Sequence, residues 1–415
     1  SARKSRKVSK KKPVPKKVNT LKGPGKKTQK NQRNKLNILF LVGKKGDNYP
    51  ISINKRDKTL VPTWLKQGAI KFKDFLDGNE MPSDVALASY MCFEYPNSNI
   101  ECMEGKKLNS SSQIDQYDTV FVINDYTEVF NCGDKNKTCP KDVKKFEKAL
   151  KDTKAFVYPY PNFHNYILDK SRYYNDLEQA NIQVAPFQRL DLTEKLSSRN
   201  IKDMKQEILD KNWDGIIIKP TLGGYSVGLR IFKDLSKTKP DDIKKYIDSL
   251  IKKGYPSAVI QEYVPEFINH YEIRTYWINN RFARAVYTSS FMDLQDKLVK
   301  DNWKDEGIPN NVLNKLKKIG NNVIRALPEY EIPHPFLRID FGCCINTSNN
   351  CKQSYFVNEV ETLAANMLLD DDEYPMIEKT SRALFKLALH YKGESEPKYT
   401  LPKFKAKKIQ CVNPI

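Results

Sequence analysis

Between residues 36 and 160, short continuous apolar runs alternate with stretches of helical spacing. KLNILFLVG ends in glycine, YDTVFVIND and KAFVYPYP repeat its character, and helix-like segments lie around Pro82 to Tyr90 and Lys141 to Lys151. An apolar run of strand length is buried on both faces, as in a parallel sheet covered by helices. The region therefore predicts an α/β unit of parallel strands with crossover helices. From Asn162 the pattern changes. LDKSRYYNDLEQAN places Tyr173, Tyr174, Leu177 and Ala180 at helical spacing and runs into the strand IQVAPFQRL. A lysine-rich helical stretch to Lys211 precedes DGIIIKPTLGGYSVGLRIF, which reads as two strands about a glycine-rich turn, and a helix from about Pro240 to Lys253 leads into SAVIQEYV. EIRTYWIN and RFARAVYTS face each other across Asn279 and Asn280, a pair that tolerates positive φ. A helical segment from Asn310 to Leu327 is followed by the strands PFLRIDFGCCI and SYFVNEVETL. The order implies a mixed α+β core after the α/β unit, without internal repeats, and 415 residues leave room for two or three domains.

Charge divides the chain further. Of a net charge of +21, fifteen positive charges fall in residues 1–35, which contain no acid and are broken by Pro13, Pro15, Gly23, Pro24 and Gly25. Such a segment cannot bury enough apolar surface to fold, so a disordered basic tail is expected. Its charge suits nucleic acid or another polyanion, a nuclear address, or simple solubilisation. No apolar stretch reaches the roughly 20 residues that cross a bilayer, which excludes a helical membrane span. No signal-peptide h-region is visible, and eight cysteines without a CxxC fit ordinary intracellular usage rather than a disulfide framework or a zinc site. The compartment implied is cytoplasmic or nuclear, with association with a virus particle left open.

Three segments can carry chemistry. In IIIKPTLGGYSVG a strand ends at Lys219, and a loop with Gly223, Gly224, Tyr225, Ser226 and Gly228 turns back. Glycines let backbone N–H groups approach phosphate oxygens while the lysine supplies a cation, although a plain hairpin has the same appearance. FLRIDFG and YFVNEVET put Arg338 with Asp340 on one strand face and Glu359 with Glu361 on another, because side chains repeat with period two. Converging carboxylates flanked by apolar residues need a cation, and hard oxygen ligands suit magnesium bridging to nucleotide phosphates; a salt-bridged solvent face is the plainer alternative. In AVIQEYVPEFINHYEIR the strand end at Gln261, Glu262, Tyr263 and Val264 offers backbone groups for an adenine edge, Glu266 or Glu272 can accept from ribose hydroxyls, and Arg274 can meet a phosphate or substrate. Neither GxGxxG nor GxxxxGK[ST] occurs, so a dinucleotide or P-loop site is not supported.

Taken in order, LDKSRYYNDLEQANIQVAP, IIIKPTLGGYSVG, VIQEYV, YEIRTYW, FLRIDFG and FVNEVET resemble the ATP-grasp superfamily over about half the chain, from Asn162 to Leu369. The resemblance implies that Lys170 and Lys219 hold nucleotide phosphates, that the Gly223 to Gly228 loop folds over them, and that Glu262 to Val264 read adenine. It implies that Asp340, Glu359 and Glu361 bind magnesium, two ions being expected, with Glu361 where the family's E-x-N pattern has asparagine. The implied divisions are a basic tail (1–35), a Rossmann-like domain preceding the ATP-grasp core (36–160), a small subdomain with the glycine-rich hairpin (161–264), a large subdomain with the metal site (265–395) and a C-terminal extension (396–415). The implied activity is ATP-dependent joining of a small-molecule or peptide carboxylate to an amine through an acylphosphate, with Arg338 and Arg274 as catalytic arginines. Arg284, Tyr287, Asn358 and Asn366 would line the acceptor pocket. Two other readings stay open: a catalytically idle nucleotide-binding scaffold carried by its basic tail, and a small-molecule kinase of the same fold.

Overall fold

In the computed structural model, the described residues are 35–43, 50–53, 61–123, 139–221, 228–265, 272–288, 308, 310–343, 355–362, 374–393 and 399–400. The basic tail up to residue 34 and residues 401–415 lie outside them.

The first sheet begins with β1 (Asn37–Val42), whose residues from Ile38 onward are all buried. A small pair, β2 (Pro50–Ser52) with β3 (Glu80–Pro82), brackets helix α1 (Thr63–Lys71), and α2 (Ser83–Glu94) follows. β4 (Asn99–Glu104), β5 (Thr119–Val122), α3 (Cys139–Asp152) and β6 (Phe156–Tyr158) complete a parallel sheet of order β4-β1-β5-β6. Alternation along β1 decides its two faces. Leu39 and Leu41 pack with Phe146 and Leu150 of α3, while Ile38 and Phe40 join Leu87 and Met91 of α2. The parallel strands and crossover helices expected for this region are therefore present.

Helices α4 (Pro161–Leu168) and α5 (Lys170–Gln179) lead to β7 (Phe187–Asp191), α6 (Ser198–Asp210), β8 (Ile216–Pro220), β9 (Arg230–Phe232), α7 (Pro240–Lys252) and β10 (Ser257–Glu262). These strands form an antiparallel sheet ordered β7-β10-β8-β9. One face carries Leu190, Ile216, Ile218, Ala258 and Ile260 against α6 and α7. The opposite parity, with Arg189, Lys219, Val259 and Gln261, looks away from those helices.

The third sheet is antiparallel, ordered β12-β11-β14-β15, from β11 (Glu272–Ile278), β12 (Arg281–Thr288), β14 (Leu337–Cys343) and β15 (Tyr355–Glu361). Asn279 and Asn280 join the first two strands with φ of 52° and 58°, the left-handed pair that a two-residue type I′ hairpin requires. Helix α8 (Asn310–Ala326) and α5 cover Ile273, Trp277, Leu337, Ile339, Phe341, Val357 and Val360 on one face. Chain order and packing part company at the end. Helix α9 (Tyr374–His390) follows the third sheet yet packs against α2, with Leu384 and Ala388 in the core of the first sheet. A last short pair, β13 (Glu329–Tyr330) with β16 (Tyr399–Thr400), is antiparallel.

Gly320 of α8 lies where an added Cβ would run into the ring of Trp277. Gly320→Ala should therefore lower stability by about 1–3 kcal/mol through overpacking, although alanine is the better helix former. The urea midpoint measures this, and an unchanged midpoint would mean that the ring gives way without cost.

Candidate functional site

The face of the third sheet turned away from α8 carries a lattice of charges. Register places Arg274 opposite Asp340 and Tyr276 opposite Arg338 across β11 and β14, then Asp340 opposite Glu359 and Arg338 opposite Glu361 across β14 and β15. The two sequence-predicted acid pairs thus meet on neighbouring strands. Arg338 stands among them: its Nε donates to Asp340 at 2.9 Å, and its Nη2 lies 2.8 Å from Asp340 Oδ2, 3.6 Å from Glu359 Oε2 and 3.4 Å from Glu361 Oε1. A register shift between Asp340 and Phe341 leaves Asn358 as an extra residue on β15. Such a bulge lets consecutive side chains reach one face. Glu359 meets Arg338, and Asn358 Nδ2 donates to Glu272 Oε1 at 2.8 Å. The other oxygen of Glu272 accepts from Arg274 Nε at 2.9 Å. Glu272, foreseen as a ribose acceptor, is committed on both oxygens here. Arg284 lies over the Tyr276 ring, 5.8 Å from its centroid.

Two lysines face these acids. Lys170, the first residue of α5, reaches Glu359 Oε1 with its Nζ at 2.5 Å. One helical turn on, Tyr174 is fully buried; its hydroxyl donates to the Asn358 carbonyl and accepts from Lys219 Nζ at 3.3 Å. Lys219 also lies 5.6 Å from the Tyr174 ring centroid. Burial first, and the Lys170 charge second, push the Lys219 ammonium down to about 8. Burial opposes the charge on Lys170 too, but Glu359 more than restores it and holds that lysine above its ordinary value. Although burial alone would raise it, Lys170 and then Arg338 hold the Glu359 carboxyl well below the usual range. Burial, opposed by Arg338 and reinforced by Glu272, pushes Asp340 up to about 7. These opposed shifts describe a low-dielectric pocket in which four acids, Glu272, Asp340, Glu359 and Glu361, meet four basic groups, Lys170, Lys219, Arg274 and Arg338.

The β10 strand divides its residues between two sides. Gln261 pairs with Ile217 and Phe187 on the parity of Lys219, facing Tyr174, whose ring lies edge-on to Phe187. Glu262 pairs with Ile216, a member of the helix-covered core, so its carboxyl points away from the lysines; burial and then Asp214 push it up to about 6. The N–H groups of Glu262 and Tyr263 donate to Pro186 and Gly215. Val264 packs with Ala185 and Phe356 of β15. Gly228 has φ of +73°, a left-handed backbone conformation that glycine adopts without a Cβ penalty. Gly223, Gly224, Tyr225, Ser226, Glu266 and Asn366, and the Tyr287 side chain, lie outside the described residues.

Two participants were not singled out as site residues by sequence, Tyr174 and the group of Asp169, Ser171 and Arg189, and Asn358, expected in the acceptor pocket, was not foreseen as a bulge. Tyr174 shares a helix face with Lys170 at spacing i, i+4, a signal available in the sequence. Magnesium fits the donor set, since three carboxylates are hard oxygen ligands and a buried acid raised to about 7 gains from a nearby cation. Among the described residues, however, no three His, Cys, Asp or Glu side chains already form a metal cage. Arg338 occupies the space between the acids.

No protein-family model matches the chain, and no curated protein sequence does. Solved structures do match. D-cycloserine synthetase DcsG aligns with 85% of this chain and 99% of its own at 13% identity and a TM-score of 0.56. D-alanyl-alanine synthetase A from Vibrio cholerae O1 biovar eltor covers 87% and 99%, at 14% identity and 0.52. D-alanine–D-alanine ligase from Bacillus anthracis covers 86% and 99%, at 14% and 0.51. The fold is that of the ATP-grasp superfamily.

Proposed function

We propose that the protein is an ATP- and magnesium-dependent ligase that joins a carboxylate to an amine or similar nucleophile through an acylphosphate. The observation that carries this reading is that Lys170 pairs with Glu359 and Lys219 stands within electrostatic reach of the same carboxylate, while Glu359 lies across from Asp340 and shares Arg338 with it and with Glu361. Solved structures with the names ligase and synthetase share the fold. Lys170 and Lys219 bind the triphosphate and offset its charge, and the glycine-rich segment between β8 and β9 adds backbone donors. Asp340, Glu359 and Glu361 would hold one or two magnesium ions, which supply charge neutralisation at the phosphates. The substrate carboxylate oxygen attacks the γ-phosphorus, the bond to the β,γ-bridging oxygen breaks, and ADP leaves. The amine then attacks the acyl carbon, Arg338 offsets charge on the tetrahedral intermediate, and the acyl C–O bond breaks to release phosphate while the amine loses a proton. Val264 supplies the backbone donor for adenine, because the two preceding N–H groups are committed.

Hydroxylamine intercepts an acylphosphate as a hydroxamate. Incubation with ATP, magnesium and a panel of carboxylic acids should give hydroxamate matching phosphate released. A stable phosphoester instead would identify a kinase, and neither product with any acid would favour the idle scaffold, a reading suited by acids already neutralised by Arg338 and Lys170. Residues 1–35 we assign to contact with nucleic acid or another polyanion.

A further inference from the structure

Consecutive residues at the start of α5 reach different sheets. Lys170 pairs with Glu359 of β15. Asp169, just before the helix, turns to β7, where Arg189 Nη1 donates to its Oδ2 at 2.5 Å and to Ser171 Oγ at 2.7 Å. Ser171 Oγ in turn donates to Asp169 Oδ1 at 2.5 Å, and Arg172 Nε lies 3.3 Å from Oδ2. An aspartate at this position ordinarily accepts from the helix's own first N–H groups. Asp169 makes no such cap bond, and its carboxylate is spent on Arg189 instead. Register also places Arg189, Val259 and Lys219 in one row across β7, β10 and β8, so the grip rises from the face that presents Lys219.

We infer that Arg189 is a positioning residue of the phosphate site: by holding Asp169 and Ser171 it fixes the first turn of α5 on β7 and sets where the Lys170 ammonium stands. The inference rests on the phosphate role proposed for Lys170. A lysine side chain has several rotatable bonds, so the place of its backbone decides which anion it reaches. Arginine suits the task because Nη1, held in the plane of the guanidinium, carries two N–H donors and meets the carboxylate and the hydroxyl together, a fixed geometry that lysine reproduces only in part.

The test uses the full chain with Arg189→Ala, Arg189→Lys, Lys170→Ala and the Arg189→Ala/Lys170→Ala double variant. Magnesium-ATP affinity is measured by calorimetry, and amide exchange over residues 170–174 is measured without nucleotide. Arg189→Ala should weaken ATP binding about tenfold and speed exchange in that turn, Arg189→Lys should recover part of both, and in the Lys170→Ala background the arginine change should add less than about twofold. Full additivity, or unchanged exchange in Arg189→Ala, would overturn the inference. If the wild-type chain binds no ATP, the ligase reading fails, and the exchange result alone decides whether Arg189 holds the helix start.

Discussion

Asp340→Asn is expected to reduce magnesium-dependent phosphate release by at least about a hundredfold while the protein stays folded. The substitution keeps the size of the side chain and one acceptor for Arg338, but removes the negative charge that a divalent ion needs. Asp340 has no solvent exposure, and Arg338 donates to both of its oxygens. Alanine would leave a guanidinium buried without its nearest counter-charge, which costs several kcal/mol and confuses catalysis with stability. Asparagine avoids most of that, because Glu359 and Glu361 still flank Arg338. The expected pattern is a lost magnesium response with a nearly unchanged unfolding midpoint. Full turnover in a well-folded Asp340→Asn protein would remove this residue from the metal site.

Lys219→Ala should weaken ATP binding by about 2–3 kcal/mol, a loss of roughly 30- to 160-fold, because a charge-assisted contact to phosphate inside a buried pocket disappears. A pH signature accompanies it. In the free protein burial and Lys170 hold the Lys219 ammonium at about 8, below its ordinary value, whereas a bound triphosphate favours the charged form. Below pH 8 the lysine is already protonated and adds no pH dependence of its own. Above pH 8 binding must take up a proton, so affinity should fall by up to about tenfold per pH unit until the pKa of the complex is reached. Lys170, raised by Glu359, keeps its charge over this window. Lys219→Ala should abolish the alkaline fall. A slope that persists in the variant would assign it to another group.

Much of the third sheet's site was legible because β14 and β15 write their two faces in alternating residues. Leu337, Ile339 and Phe341 go to the core while Arg338 and Asp340 go to the site, and period two is a strong local signal. The Asn279–Asn280 turn was legible for the same reason: two consecutive left-handed residues demand particular side chains. The bulge at Asn358 was not, since an extra residue in one strand depends on its partner strand and leaves no mark in its own composition. Nor was the commitment of Glu272, whose partners are Arg274 beside it and Asn358 from a strand 86 residues away. Arg189 stood in a strand that reads as ordinary alternation, and its meaning arises only when the start of α5 is laid over that strand. The edge strand β4, NIECME, is half exposed and mostly polar, so hydrophobic pattern passes over it. Helix α9 shows the same limit at larger scale. Its apolar face is evident, but its partner α2 lies nearly three hundred residues earlier, as the Arg382 to Glu94 contact illustrates.

The most direct measurement is a crystal structure with a non-hydrolysable ATP analogue and manganese, with the metal located by its anomalous scattering. The account predicts metal peaks in coordination contact with Asp340 and with Glu359 or Glu361, and phosphate oxygens within hydrogen-bonding distance of Lys170 and Lys219. A nucleotide bound elsewhere, or manganese at a site that touches none of these three acids, would contradict it.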